Sequence, residues 1–301
     1  MPAYRFLQLD VFTTTPLTGN QLAVFPDAAG IDADTMQRIA REMNFSETTF
    51  VWPPEVPGTL ARVRIFTPGA ELPMAGHPTI GTSIALALEG RVPAGTGSVT
   101  LGLGVGPTPV ALEWDAGAPR FAWMTQPLPT FGPALGPAAA LAAALGLGAA
   151  DVVDQWPAQV VSCGVPFVLV PLVSRRAVDD AELDRARWRE VCAAAGLPEQ
   201  KAFVFAVDRP SEPATVYSRM FAPVLGVAED PGTGSASGPL GAYLVRHAAA
   251  PGDAHRFVSH QGVKMQRPCE IHIRIGGTPS AITSVEVGGA AVVVADGMLR
   301  W

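Results

Sequence analysis

The amino-acid sequence predicts an α+β protein made of two related halves, each a sheet rolled around a buried central helix. Three observations carry this prediction. Similar segments recur in the same order at offsets of 145 to 156 residues, each half has a glycine turn before an apolar helix, and strand-like runs flank both helices. We expect the first half to span residues 1–128 and the second to span 129–285, with a strand in 286–301 returning to the first half.

The internal repeat consists of four pairs of similar segments. The pairs are 18–24 with 163–169, 47–51 with 200–204, 64–68 with 219–223, and 76–81 with 232–237. Any chain of alternating strands and helices repeats such features to some degree, but four pairs in one order favour a duplicated domain. The joint is predicted in the segment 126–137, which is rich in Pro and Gly.

Two helices define the predicted architecture. Residues 79–88 and about 235–247 are apolar on nearly every helical face, which is typical of buried helices. Pro78 suits the first turn of the first helix and Gly90 suits its end. The N-terminus of a helix attracts anions, and an approximate two-fold axis would point both N-termini into one cleft. We therefore expect that cleft to bind a small carboxylate.

Composition excludes several classes of function. The net charge of −6 disfavours non-specific nucleic-acid binding. The chain shows no signal peptide and no convincing membrane span, so we expect a soluble cytoplasmic protein. The three cysteines have no metal-ligand spacing, and zinc is not expected. The glycine run 232–238 lacks the features of a phosphate loop or a dinucleotide fold.

Three titratable residues lie beside the predicted helix entrances. Glu47 starts a strand, and the sequence match pairs it with Gln200, so the duplication carries a single carboxylate there. A single base suits proton transfer on one face of a substrate, although Glu47 could also be a capping or surface residue. His77 could donate to a substrate oxygen or cap the helix, and Asp230 could cap its turn or bind substrate.

Four segments of the chain resemble the PhzF-like family of phenazine biosynthesis. They are LDVFTTTPLTGNQLAVF (9–25), NFSETTFV (44–51), RIFTPGAELPMAGHPTIGT (64–82) and EDPGTGSASGPLGAYL (229–244). The resemblance implies a diaminopimelate epimerase-like fold of two pseudo-symmetric halves, each a mixed barrel-like sheet around a central helix. The active site would lie in the cleft between the halves.

The resemblance also implies roles for individual residues. Glu47 matches the general acid/base, and His77 and Asp230 complete the expected catalytic set. The expected substrate-binding residues are Asn20, Ser46, Gly76, Thr233, Gly234 and Ser235. The family uses no metal and no cofactor, and its members are commonly homodimers. Sister families use two opposed cysteines, but Ala75 stands at the first such place, which disfavours thiol-based racemisation.

The leading hypothesis is therefore a cofactor-independent isomerase that shifts a proton on a small carboxylate-bearing substrate, with Glu47 as its acid/base group. One alternative is an epimerase acting on a small amino or hydroxy acid. Another is a catalytically silent relative that only binds a metabolite. The set Glu47, His77, Asp230 and Ser235 argues against the silent relative, since a binding protein has no need of the carboxylate.

Overall fold

A computed structural model describes residues 3–209, 214–249 and 255–301. Its strands, numbered in chain order, are β1 Ala3–Val11, β2 Asn20–Phe25, β3 Glu47–Trp52, β4 Ala61–Phe66, β5 Glu71–Leu72, β6 Ser98–Leu103, β7 Gly106–Asp115, β8 Ala118–Gln126, β9 Thr130–Ala134, β10 Gln159–Ser162, β11 Pro166–Pro171, β12 Ala202–Arg209, β13 Ala214–Ala222, β14 Val227–Asp230, β15 Arg256–Gln261, β16 Cys269–Thr278, β17 Ala281–Gly289 and β18 Ala291–Arg300. The α-helices are α1 Ala33–Met43, α2 Gly76–Leu88, α3 Ala138–Ala144, α4 Arg175–Asp180, α5 Arg185–Ala194 and α6 Gly234–Arg246.

The chain forms two compact units. The first comprises Met1–Thr125 together with Val287–Trp301, and the second comprises Gln126–Glu286. Strand β18 pairs antiparallel with β1 along its whole length, so it belongs to the sheet of the first unit. The mixture of helices with parallel and antiparallel strands confirms the predicted α+β class.

The sheet of the first unit is mixed. Strand β1 lies between β18 and β2, and β2 pairs in parallel with β3. Strand β3 then pairs antiparallel with β4, which pairs in parallel with β6. Strands β6, β7 and β8 continue as an antiparallel meander. This order places the start of β3 beside β2 and near the helix that follows β5.

The second unit repeats the central part of this pattern. Strand β11 pairs in parallel with β12, β12 pairs antiparallel with β13, and β13 pairs in parallel with β15. Strands β9 and β10 extend one side of the sheet, and β16 extends the other. The shared order of a parallel pair, an antiparallel partner and another parallel pair follows the repeat seen in the sequence.

Helices α2 and α6 are buried along nearly their whole length, as their sequences predict. Both pack so closely that glycine is required at a contact. A Cβ atom on Gly81 would lie 2.6 Å from Leu22 and 2.7 Å from Val11, and one on Gly241 would lie 2.5 Å from Ile273. The backbone of each helix therefore touches the side chains of its own sheet.

Each sheet has helices on two sides, and alternate strand residues face them. In β12, Ala202 and Val204 pack in a cluster with residues of α3 and α5. Phe203 and Phe205 pack instead in the cluster around α6. In the first unit, Phe50 of β3 packs with residues of α1, so its neighbour Thr49 faces α2. These contacts show which residues of β3 face α2 and which residues of β12 face α6.

The two units also share a distinctive side-chain arrangement. In each, an arginine lies over the ring of a phenylalanine two residues later and forms an ion pair with a glutamate from the following strand. The members are Arg64, Phe66 and Glu71 in the first unit, and Arg219, Phe221 and Glu229 in the second. This arrangement gives an unambiguous register for comparing the units.

The shared register corrects the predicted counterpart of Glu47. The two phenylalanines pair with Thr48 of β3 and with Ala202 of β12. The residues that precede these partners are Glu47 and Lys201. The prediction that Gln200 is the counterpart of Glu47 is therefore wrong by one residue. Lys201, not Gln200, directly precedes the first residue of β12.

None of the helices in residues 3–209, 214–249 and 255–301 is long and apolar enough to cross a membrane.

Candidate active site

Glu47 and His77 come together in the first unit. Glu47 is the first residue of β3, and its side chain points to the same face as Thr49, which is hydrogen-bonded to Thr82 of α2. His77 is the second residue of α2, and its Nε2 atom lies 3.5 Å from a carboxylate oxygen of Glu47. The side chain of His77 is 4% exposed and that of Glu47 is 16% exposed. The carboxylate is thus largely enclosed but still open to a small solute.

Asn20 lies on the other side of the His77 ring. Its amide nitrogen is 3.2 Å from Nδ1 of His77, and both side chains are buried. An amide N–H can only donate, so Nδ1 accepts and the ring proton of neutral His77 is assigned to Nε2. That proton faces Glu47. The N-cap residue of the helix is Ala75, so His77 does not occupy the N-cap position.

The first turn of α2 begins without a side-chain cap. Its N-cap residue is Ala75, whose methyl group cannot accept a hydrogen bond, and Gly76 is the first helical residue. Backbone N–H groups at such a helix start attract anions. Ser46 is half-buried just before Glu47. Asn20, Glu47, Gly76 and His77 therefore lie in one small region of the first unit.

In the second unit, Asp230 and Thr233 form a closed turn before α6. The hydroxyl of Thr233 donates to the carboxylate of Asp230. Gln261 at the end of β15 accepts from the backbone N–H of Thr233 at 3.0 Å and donates to the carbonyl of Asp230 at 2.7 Å. All three residues are buried. Asp230 therefore orders the turn, which was one of its two predicted roles.

Gln126 holds the first residue of α6. Its side-chain N–H donates to the carbonyl of Gly234 at 2.9 Å. Ser235 follows and is half-buried. The sequence did not single out Gln126 or Gln261. The available sequence signal is the glutamine followed by glycine at Gln261-Gly262, a pair that by itself indicates only a turn.

Two of the three cysteines, Cys163 and Cys192, have thiol pKa values raised by burial. Cys163, Cys192 and Cys269 are all free and buried. Burial raises the pKa of the Cys163 thiol to about 12 and also raises the pKa of Cys192. A thiol with such a pKa stays protonated at neutral pH and is a poor base. Within the described ranges, no cluster of His, Cys, Asp and Glu side chains could hold a metal ion.

The predicted site residues thus form two local groups, one in each unit. Asn20, Ser46, Glu47, Gly76 and His77 lie around the start of α2. Asp230, Thr233, Gly234 and Ser235 lie around the start of α6. The prediction that both groups bind a single substrate in one cleft stays a prediction.

Comparison with known proteins identifies relatives along the whole chain. The family model described as "Phenazine biosynthesis-like protein" matches residues 9–297. A Pseudomonas aeruginosa protein named trans-2,3-dihydro-3-hydroxyanthranilate isomerase is 38% identical, and the match covers 98% of each chain.

Solved structures extend the comparison to the fold. A phenazine biosynthesis protein of the PhzF family from Bacillus anthracis superposes with a TM-score of 0.89 at 28% identity, covering 100% of both chains. A probable proline racemase from Agrobacterium radiobacter K84 gives a TM-score of 0.66 at 12% identity, covering 99% of this chain and 93% of the racemase. The likeness to the racemase concerns the fold alone.

Proposed function

Because this chain belongs to the phenazine biosynthesis-like family and is an isomerase, we propose that Glu47 is its acid/base group. In this proposal Glu47 moves a proton between two positions of a small carboxylate-bearing substrate. The reaction uses no cofactor and no metal. The substrate C–H bond breaks toward the carboxylate of Glu47, and the protonated Glu47 then delivers a proton to a different carbon. A proton held on the carboxylate can exchange with solvent before it is delivered.

The observation that carries the proposal is the contact between Glu47 and His77. A carboxylate that is largely enclosed, yet still open to a small solute, can contact a substrate in surroundings from which most bulk water is excluded. The Nε2–H of His77, fixed by Asn20, can hold either the carboxylate or a developing negative charge on the substrate. A surface carboxylate would have neither the enclosure nor the oriented donor.

The starts of the two buried helices supply the proposed substrate-binding groups. Backbone N–H groups near Gly76 can hold a substrate oxygen beside Glu47. In the second unit, the turn of Thr233, Gly234 and Ser235 is held by Asp230, Gln126 and Gln261, and we propose that it binds a carboxylate. A pre-ordered turn avoids the cost of fixing loop and side chain on binding.

The substrate class follows from the named relative. The name trans-2,3-dihydro-3-hydroxyanthranilate isomerase describes a ring that carries a carboxylate, an amino group and a hydroxyl. We propose a cyclic amino- or hydroxy-substituted carboxylic acid for this chain. Such a substrate has an activated C–H bond, because a conjugated ring can delocalise the electron pair left after proton removal.

Solvent-deuterium exchange tests the proposal. A panel of cyclic amino and hydroxy acids is incubated with the protein in D₂O, and incorporation is followed by mass spectrometry. Glu47→Gln preserves shape but removes the proton carrier, so exchange should fall by at least ~10²-fold, a typical contribution of a positioned acid/base group. Glu42→Gln, an exposed position on α1, is the matched control and should exchange at the wild-type rate.

The same experiment separates the remaining alternatives. An epimerase on a small amino or hydroxy acid would invert a stereocentre, which chiral chromatography of the product detects. A catalytically silent relative would bind members of the panel without any exchange. Wild-type exchange in Glu47→Gln would contradict the assignment of the acid/base group.

We also propose that the protein is a homodimer in the cytoplasm, with a small molecule as its only substrate partner. Support for the dimer comes from the family resemblance in sequence. Sedimentation equilibrium of the purified protein tests it, because a dimer has twice the 31.4 kDa mass of the chain.

A further inference from the structure

Lys201 occupies the place in the second unit that Glu47 occupies in the first. The antiparallel ladders with β13 and β4 establish this equivalence, and the parallel ladders agree with it. Glu47 pairs with Leu22 of β2. The sequence repeat matches Leu22 with Phe167, and Phe167 lies beside Lys201, because each precedes a member of the pair Val168 and Ala202. The carbonyl of Lys201 accepts the backbone N–H of Val168, so the residue is fixed in the sheet.

The side chain of Lys201 lies on the face of the sheet that covers α6. Phe203, two residues later, packs in the cluster that contains Ala236 from the first turn of α6. Lys201 directly precedes β12, and its contact with the ring of Phe167, a member of the same cluster, places its side chain on the same side. Its ammonium nitrogen lies 4.5 Å from the centre of the Phe167 ring, and Phe167 belongs to that cluster.

This position is costly for a charge. Within the described part of the chain, no carboxylate lies within ion-pair distance of Lys201. Its ammonium group contacts the face of the Phe167 ring instead. Burial lowers the pKa of the ammonium to about 8. Lys201 is half-buried. Charges shielded from water in proteins are usually paired, and an unpaired one with a displaced pKa marks a candidate functional site.

We propose that Lys201 is a ligand-contacting residue whose ammonium pairs with an anionic group of the substrate. The inference rests on the proposed carboxylate-bearing substrate and adds a charged specificity residue to it. The two units then carry opposite charges at equivalent positions, a carboxylate for the proton and an ammonium for an anion. In this proposal, Glu47 and Lys201 give the two similar units different roles, proton transfer in the first and anion binding in the second.

A rival explanation is that Lys201 is purely structural. Long lysine side chains often cover apolar surface with their methylene groups while the ammonium reaches water. A structural lysine would stabilise the protein without distinguishing between charged and neutral ligands. The comparison of a carboxylate with its neutral amide therefore separates the two explanations.

The test measures binding of 2-aminobenzoate and 2-aminobenzamide by isothermal titration calorimetry. Lys201→Met keeps the apolar stem and removes the charge, and Lys201→Arg keeps a charge. Lys264→Met is the matched control, because Lys264 is the chain's other lysine and is exposed. Loss of one charge-assisted interaction should weaken binding of the carboxylate to Lys201→Met by about 10- to 100-fold.

The amide should bind Lys201→Met as it binds the wild-type protein, and Lys201→Arg should retain most of the preference for the carboxylate. Equal losses for acid and amide, no loss for either, or a wild-type protein that shows no preference for the carboxylate would overturn the proposal. A failed acid/base assignment would appear only in deuterium exchange, so the two proposals fail in different assays.

Discussion

The hydroxyl oxygens of Thr49 and Thr82 lie 2.9 Å apart, and this contact joins the strand that carries Glu47 to the helix that carries His77. Both threonines are fully buried. The contact lies two residues beyond Glu47 and five beyond His77, so it fixes the spacing of the two elements close to these two side chains. A small change here would be felt as a change in the 3.5 Å separation of the carboxylate and the imidazole.

A double-mutant cycle at this contact has a definite expected result. Thr82→Val or Thr49→Val alone leaves a buried hydroxyl with a weakened partner set, which costs about 1–3 kcal/mol of unfolding free energy. The double variant replaces both hydroxyls by methyl groups and should lose less than the sum. Urea denaturation measures the stabilities, and deuterium exchange measures the catalytic effect. Strict additivity would show that the two hydroxyls do not interact.

Asn20 is predicted to set the tautomer of His77. In Asn20→Asp the new carboxylate can only accept a hydrogen bond, which favours the tautomer with the proton on Nδ1 and removes the proton that faced Glu47 from Nε2. We expect exchange to fall by about 10-fold or more, since proton transfer by a positioned group contributes that much and more. Nitrogen NMR of the imidazole rings reports the tautomer directly, and Asn44→Asp is the exposed control. An unchanged His77 spectrum in Asn20→Asp would contradict the assignment.

Gly81 is predicted to be intolerant of even one methyl group. Its Cβ would meet Leu22 and Val11 at 2.6 and 2.7 Å, so Gly81→Ala forces α2 away from β1 and β2. Overpacking of this kind costs about 1–3 kcal/mol. Gly97→Ala is the matched control, because nothing lies within 4 Å of the added atom and its backbone is not left-handed. Thermal denaturation should show a lower midpoint for Gly81→Ala and no decrease for Gly97→Ala.

Lys201 is predicted to make stability depend on pH in alkaline solution. Burial lowers its pKa from 10.5 to about 8, so between these values the unfolded chain holds a proton that the native protein has released. The free energy of unfolding therefore rises as pH increases from 8 to 10.5. Below pH 8 both states are protonated and the full cost of the buried charge is present.

Removing the charge should abolish that rise. At pH 7 we expect Lys201→Met to be more stable than the wild-type protein by about 2–3 kcal/mol, and the difference should shrink toward pH 10.5. Urea denaturation across this range measures it, with Lys264→Met as the control for general charge effects. A constant difference at every pH would mean that the Lys201 ammonium is not destabilised by burial.

The central helices were predictable because their amino-acid composition indicates burial. A helix that is apolar on every face has no solvent side, and both α2 and α6 are enclosed as expected. The first residue of each helix was harder to predict. Helix α2 begins at Gly76, before the apolar run, because His77 and Pro78 both fit a first turn and the boundary is set by backbone hydrogen bonds.

The counterpart of Glu47 could not be obtained from similarity alone. Matching Phe50 to Phe203 aligns two aromatic residues, yet Phe50 packs with α1 whereas Phe203 packs around α6. The two rings face opposite sides of their sheets. A shift of one residue exchanges the faces of a whole strand, and only the hydrogen-bonded ladder fixes it. The match therefore concealed Lys201.

Contacts between distant residues were equally hidden. Gln126 reaches Gly234 across 108 positions, and Gln261 reaches Thr233 across 28. A lone glutamine has no spacing or periodicity that could indicate a partner so far along the chain. Such residues become visible only when the sheet brings the strand ends together at the start of a helix.

The position of strand β18 near the end of the chain affects how the protein folds during translation. It completes the sheet beside β1, but it is translated only after every residue of the second unit. While the second unit is being synthesised, β1 has one edge with its backbone groups open to any other strand. The sheet of the first unit therefore stays incomplete until β18 has been synthesised. Chaperones that shield strand edges during translation should matter more for this topology than for one built from two consecutive domains.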